Sequence, residues 1–200
     1  AHIRVTYALD GQGGLHVRYW AKADQDTVFN MTNHSYFNLA GHQHPDRAVQ
    51  QVLSMPARHF CPDDAQNIPT GELRDVSGSP MDFRVPKPIA RDLDADYDAL
   101  KLQGGYDHNW EVFCNPCATL TDPASGRCLC VYTDSPGIQF YSGNYLNDQG
   151  KEGVFYGRNS GMALETQFYP DCLHKPNWAQ PVTKANTVYK SETVYRFSCK

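Results

Sequence analysis

Four stretches of this 200-residue chain gather hydrogen-bonding side chains among aromatic rings. Residues 32–39 read Thr-Asn-His-Ser-Tyr-Phe-Asn-Leu, a histidine set among amides, hydroxyls and two rings with no formal charge. Residues 104–110 run Gly-Gly-Tyr-Asp-His-Asn-Trp, where two glycines free the backbone so that Asp107 projects at the mouth of the strand that follows. Residues 137–144 carry Gln139 inside a strand-like run, and residues 161–171 carry Glu165 between Leu164 and Thr166. An imidazole and a carboxylate are the side chains that general acid–base catalysis uses near neutral pH. Amides and carboxylates bind hydroxyls and rings cover apolar faces, so the set suits a neutral, polyhydroxylated ligand. Taken singly, each stretch reads equally as a solvated edge or a satisfied structural polar group. Only the four together carry the functional reading.

The elements that must hold these side chains have a period of two. Ile3, Val5 and Tyr7 alternate with Arg4 and Thr6; Asp10-Gly11-Gln12-Gly13-Gly14 then supplies a turn, and residues 15–20 alternate again. That pattern predicts a β-hairpin. Further strands are expected at 27–30, 51–55, 109–113, 128–133, 137–141, 162–168 and 193–197, separated by turn clusters such as Pro62-Asp63-Asp64. On a strand, Glu165 shares its face with Ala163 and Gln167, a small and a polar neighbour that leave room for a ligand. One short, Asp-rich helix is expected at 89–100. The whole predicts an all-β fold, a sandwich of antiparallel sheets with long loops in a single domain over residues 1–200.

Composition narrows the partners. The chain is 40% hydrophobic and 20% charged with a formal net charge of −4, which fits a folded globular chain and not a disordered one. Lys and Arg never run longer than a pair, so no nucleic-acid partner or anionic membrane surface is expected. Nor does any apolar run approach the roughly 20 residues of a membrane span. The chain opens on a strand-like alternation without an initiator Met, and it is expected to be a portion of a longer protein. Seven cysteines, an odd number, argue for reduced thiols and a cytoplasmic location.

Other motifs have bland readings beside sharp ones. Cys114-x-x-Cys117 and Cys128-x-Cys130 together offer four thiols for zinc. The second spacing, however, puts both sulfurs on one strand face, and the reading adopted is a hairpin with small apolar thiols. His42-Gln43-His44 has chelating spacing but no carboxylate beside it, so no metal is expected there. Asn30-Met31-Thr32 and Asn33-His34-Ser35 match the N-glycosylation pattern and are read as accidental.

The motifs NMTNHSYFNLAG (30–41), GGYDHNW (104–110), IQFYSGNYL (138–146) and GMALETQFYPD (161–171) resemble signature blocks of the aldose 1-epimerase family, the galactose mutarotases. VTYALD near the start and TVYRF near the end resemble that family's strands in the same order, so the resemblance covers nearly the whole chain. It implies a β-supersandwich of large twisted antiparallel sheets and interconversion of the α and β anomers of hexoses such as galactose and glucose. It also implies His34 and Glu165 as catalytic residues and Asp107 as substrate-binding, with Ser35, Tyr36 and Gln139 near the sugar. No cofactor is implied. Mutarotation needs a base at the anomeric hydroxyl and an acid at the ring oxygen, and the two groups are expected on opposite sides of the pyranose. Glu165 suits the base and a protonated His34 the acid. Family members carry, in an N-terminal segment, an arginine and a second histidine that contact the sugar, and neither motif is found here. The segment expressed alone is therefore expected to be insoluble or inactive. Three other readings stand beside this one: a hexose-6-phosphate 1-epimerase, which needs a cationic pocket; a non-catalytic sugar-binding module, which needs no acid–base pair; and a structural zinc protein.

Overall fold

The computed structural model describes residues 1–199. Its strands in chain order are β1 (His2–Leu9), β2 (Gly14–Lys22), β3 (Thr27–Val28), β4 (Tyr36–Phe37), β5 (Val52–Ser54), β6 (His59–Cys61), β7 (Arg74–Asp75), β8 (Lys87–Pro88) and β9 (Asp107–Glu111). They continue with β10 (Ala118–Thr121), β11 (Arg127–Thr133), β12 (Gly137–Tyr141), β13 (Asp148–Gln149), β14 (Phe155–Tyr156), β15 (Met162–Gln167), β16 (Val182–Thr183) and β17 (Val188–Cys199). Two antiparallel sheets dominate, ordered β1-β2-β17-β11-β10-β5-β8 and β4-β15-β12-β9-β6-β7. The fold is all-β, as the period-two patterning requires.

The expected hairpin is β1–β2, with Leu9 opposite Leu15. Its turn is held by Asp10, whose Oδ1 accepts from the backbone N–H groups of Gln12 and Gly14, both at 2.8 Å. Gly13 there has φ +78°, a left-handed geometry that glycine adopts without the Cβ penalty. The expected helix at 89–100 is a correction. Only a 3-10 turn at Ile89–Arg91 and a six-residue α-helix, α1 (Asp98–Gln103), form there. Between them Asp92, Asp94 and Asp96 turn their carboxylates to Lys87, Arg158 and Lys101, and aspartate is a weak helix former. α1 ends at Gly104, which takes the left-handed conformation (φ 63°) and turns the chain into β9.

The inner faces of the two sheets interdigitate. Leu53, Leu120, Leu129, Val131 and Tyr195 come from the first sheet; Phe60, Trp110, Ile138, Phe140 and Leu164 come from the second, and all belong to one buried cluster. Polar stitches cross the same layer. Tyr195 donates its hydroxyl to the Leu164 carbonyl at 2.9 Å, and the Thr166 and Thr193 hydroxyls meet at 2.5 Å. A second sheet pinned this way presents its other face as a fixed platform. At the far edge of the first sheet, Ile3, Val5, Tyr7 and Leu9 line up with the core positions of β2 yet remain exposed. Among the described residues no helix is long and apolar enough to cross a membrane.

Candidate active site

Register decides which side chains share the outer face of the second sheet. Tyr36 pairs with Ala163, Ala163 with Tyr141, and Tyr141 with Asp107; one step along, Glu165 pairs with Gln139 and Gln139 with Asn109. Paired residues point the same way, so Tyr36, Glu165, Gln139, Tyr141, Asp107 and Asn109 stand on one face of strands about 4.8 Å apart. Their sequence neighbours Leu164, Phe140, His108 and Trp110 point into the core. Asp107-His108 makes the alternation plain. Asp107 faces the site, whereas His108 is packed against Phe60 and Trp110, and burial pushes its imidazole down to about 3. His108 is the neutral structural histidine.

His34 reaches the same face from the loop before β4. Its Nε2 lies 3.4 Å from Glu165 Oε1; the imidazole is 51% exposed and the carboxylate 10%. The ring is braced by Tyr36 at 5.0 Å and Tyr141 at 6.1 Å between centroids. Burial pushes the Glu165 carboxyl up to about 7, with His34 opposing the shift and Asp107 adding to it. Asp107 is likewise raised, first by burial, while the Gln139 hydrogen bond and His34 pull it down. Gln139 Nε2 donates to Asp107 Oδ1 at 2.8 Å. The acid–base candidates stand side by side, within reach of a single sugar carbon and its substituents. The anomeric hydroxyl and the ring oxygen are bonded to the same carbon, so two adjacent groups reach both.

Of the residues expected from sequence, His34, Glu165, Tyr36, Asp107 and Gln139 converge. Ser35 sits in an exposed turn, its N–H donating to Asn33 Oδ1 at 3.0 Å. Phe37 and Leu39 anchor the segment: the Phe37 ring packs tilted against Tyr195 at 5.1 Å and Leu39 is buried. Residues not assigned from sequence also belong here. Tyr141 was legible through its period-two step from Gln139. Asp63 was not, because it stands in a turn cluster.

Asp63, Gln103, Asp107, Asn109 and Gln139 line one cleft of about 160 Å³. Burial is the main push that takes the Asp63 carboxyl up to about 6; a hydrogen bond from Gln103 Nε2 at 2.7 Å works against it, and Asp107 and Asp64 add to it. Cys128 and Cys130 share a strand face, with sulfurs 4.0 Å apart. His42 lines a separate hollow with Lys151 and stands 3.8 Å from Glu152, while His44 is exposed. The Asn30 amide is engaged on both sides by Phe168, donating to its carbonyl at 3.1 Å and accepting from its N–H at 2.8 Å.

Fold and face define a two-sheet β-protein with an imidazole–carboxylate pair open on one sheet and an acidic cleft beside it. The family model for aldose 1-epimerase matches residues 1–196, and the chain belongs to that family. It is 41% identical over 203 residues to the galactose mutarotase of Homo sapiens, a match covering 97% of this chain and 56% of the human protein. It is 36% identical to the aldose 1-epimerase of Escherichia coli strain K12, covering 96% of this chain and 57% of that one. Among solved structures, the galactose 1-epimerase of Lactobacillus acidophilus superposes with a TM-score of 0.86 at 30% identity, over 98% of this chain and 57% of that chain. The chain thus spans little more than half the length of the relatives it matches.

Proposed function

We propose that the protein to which this chain belongs is an aldose 1-epimerase acting on free hexoses such as galactose and glucose. The observation that carries the reading is the His34–Glu165 pair, 3.4 Å apart on the polar face of a rigid sheet. Similarity to galactose mutarotases over nearly the whole chain supports it.

Ionised Glu165 takes the proton from the anomeric hydroxyl while protonated His34 gives its proton to the ring oxygen. The C1–O5 bond breaks, its electron pair going to O5, and the O1 lone pair becomes the aldehyde π bond. Rotation about C1–C2 presents the other face. In closure O5 attacks C1, His34 recovers the O5 proton and Glu165 returns its own to O1, so the enzyme ends in its starting protonation state. A base whose pKa lies near 7 is matched to this exchange, because it releases the proton as readily as it takes it. Gln139 and Asp107 would bind sugar hydroxyls, and Ser35 and Tyr36 would border the ring. All the atoms moved are protons and ring atoms of the sugar, so the steps call on no cofactor. An odd count of seven cysteines supports reduced thiols, and we place the protein in the cytoplasm.

The test is polarimetry of the full-length protein with freshly dissolved α-D-galactose, α-D-glucose and glucose 6-phosphate. Acceleration with the free hexoses supports the reading. Preference for the phosphate would favour the hexose-6-phosphate alternative, and no acceleration with any sugar would favour a binding module.

A further inference from the structure

Leu129 and Val131 of β11 belong to the buried core, so Cys128 and Cys130 face the other way, on the outer side of the first sheet. Their sulfurs lie 4.0 Å apart. Each meets a threonine of β10 across the ladder. Thr121, opposite Cys128, donates its hydroxyl to Cys128 Sγ at 3.6 Å; Thr119, opposite Cys130, places its Oγ1 3.8 Å from Cys130 Sγ. Cys128 is 3% exposed and Cys130 is half-buried, so the pair opens to solvent on the Cys130 side. The proposed sugar chemistry uses neither thiol.

Two neighbouring thiols can close a disulfide or share a metal ion, and distance decides between the two. Residues two apart on a strand have Cα atoms about 6.7 Å apart, close to the limit of about 6.8 Å that a disulfide spans. Drawing the sulfurs together from 4.0 Å into a covalent bond would therefore pull β11 against its ladders with β10 and β17. Two metal–sulfur bonds of about 2.3 Å span about 4.0 Å when they meet at about 120°, and about 4.6 Å when linear. The sulfurs already stand at that spacing. Ligand number then selects the ion. A structural zinc takes four ligands. Cys117, however, lies in the core and gives its thiol to the Val131 carbonyl at 3.3 Å. Nor, among the described residues, is any group of three or more His, Cys, Asp or Glu placed to hold a metal. Soft thiolates also select copper(I), an ion that two sulfurs suffice to hold. We infer that Cys128 and Cys130 form a two-thiolate site for copper(I) on the outer face of the first sheet. Each thiol gives its proton to solvent as the ion binds, so Cu⁺ and two thiols become a bis-thiolate complex of charge −1 and two protons, with no change of oxidation state. The Thr119 and Thr121 hydroxyls hold the sulfurs in place.

The test uses the full-length protein, reduced and kept free of oxygen, with copper(I) supplied as its acetonitrile complex against the chelator bathocuproine disulfonate. Wild type should retain more copper(I) than Cys128→Ser or Cys130→Ser, each of which should lose about 10²-fold or more in affinity. Cys199→Ser, whose thiol turns to the Ser125 carbonyl, should bind as wild type does. In wild type alone, copper(I) should block alkylation of Cys130 in peptide mapping, a readout that asks no variant to fold. Equal retention by wild type and both serine variants overturns the site, as does Cys130 alkylation that copper leaves unchanged. A loss in Cys199→Ser as large as in the other two places the ion elsewhere and overturns it as well. Both sulfurs belong to the first sheet, whereas Glu165 stands on the second, so all three variants should mutarotate galactose at the wild-type rate. The copper site can therefore fail while the mutarotase reading stands, and the reverse.

Discussion

Gln139 stands directly opposite Glu165 in the β12–β15 register, with its amide tied to Asp107 at 2.8 Å. Three polar side chains on three adjacent strands are thereby set in a row, with His34 closing it from the loop before β4. The row sits on a sheet whose other face is packed with Phe140, Leu164 and Trp110, so its spacing is held by the core. Loss of single members should therefore change chemistry before it changes fold.

Glu165→Gln and His34→Asn should each lower kcat by about 10²–10⁴ in polarimetry. The double variant should be little worse than the worse single one, because the two groups act as a unit. Near-normal circular dichroism and thermal midpoints should accompany these losses.

The pH profile carries a signature of the pair. In the proposed mechanism Glu165 acts ionised, and its carboxyl is raised to about 7, so activity should fall as pH drops through that value. Asp107 pushes Glu165 up, and Asp107→Asn should move this limb to lower pH. His34 pulls Glu165 down, and the residual activity of His34→Asn should show the limb at higher pH. The sign follows from charge alone, since a neighbouring anion favours the protonated carboxyl and a neighbouring cation favours the ionised one. A pH series of polarimetric rates checks all three.

The two sheets should be coupled through Thr166 and Thr193. Thr166→Val or Thr193→Val alone leaves one buried hydroxyl unpartnered, and each should destabilise by about 1–3 kcal/mol in urea unfolding of the full-length protein. Replacing both should cost less than the sum, because the paired apolar methyls need no partner. Additive costs would mean that the 2.5 Å contact contributes nothing.

Among the described residues, the exposed stripe Ile3, Val5, Tyr7 and Leu9 lies on a strand paired on one side, with Leu9 82% exposed. Such an edge is a template for self-association. Residues 1–200 expressed by themselves should aggregate, as light scattering would report, and Val5→Lys with Leu9→Lys should reduce the effect. A monodisperse, fully active segment would contradict this.

Much of this arrangement is legible in the sequence because alternation survives into structure. Glu165 between Leu164 and Thr166 reads as outward on a strand, and β12 matches its expected span of 137–141. What stays hidden is what loops and register bring together. His34 lies on no regular element, and no period connects it with Glu165. Asp63 in Pro62-Asp63-Asp64 has the composition of a turn, yet it forms a β-bridge with Pro69, and the pairing of β6 with β9 carries it to the cleft. The failed helix at 89–100 has the opposite cause. The span is rich in aspartate, a weak helix former, and the carboxylates at 92, 94 and 96 pair with Lys87, Arg158 and Lys101.

In the proposed mechanism Glu165 moves the anomeric proton, and a single pair of proteins puts that to the test. Full-length wild type and Glu165→Gln are mixed with freshly dissolved α-D-galactose at pH 7.5, about half a unit above the Glu165 pKa, and the optical rotation is followed to equilibrium. Wild type should speed the approach, and the variant, folded by circular dichroism, should be slower by about 10² or more. Equal rates for the two proteins would contradict it.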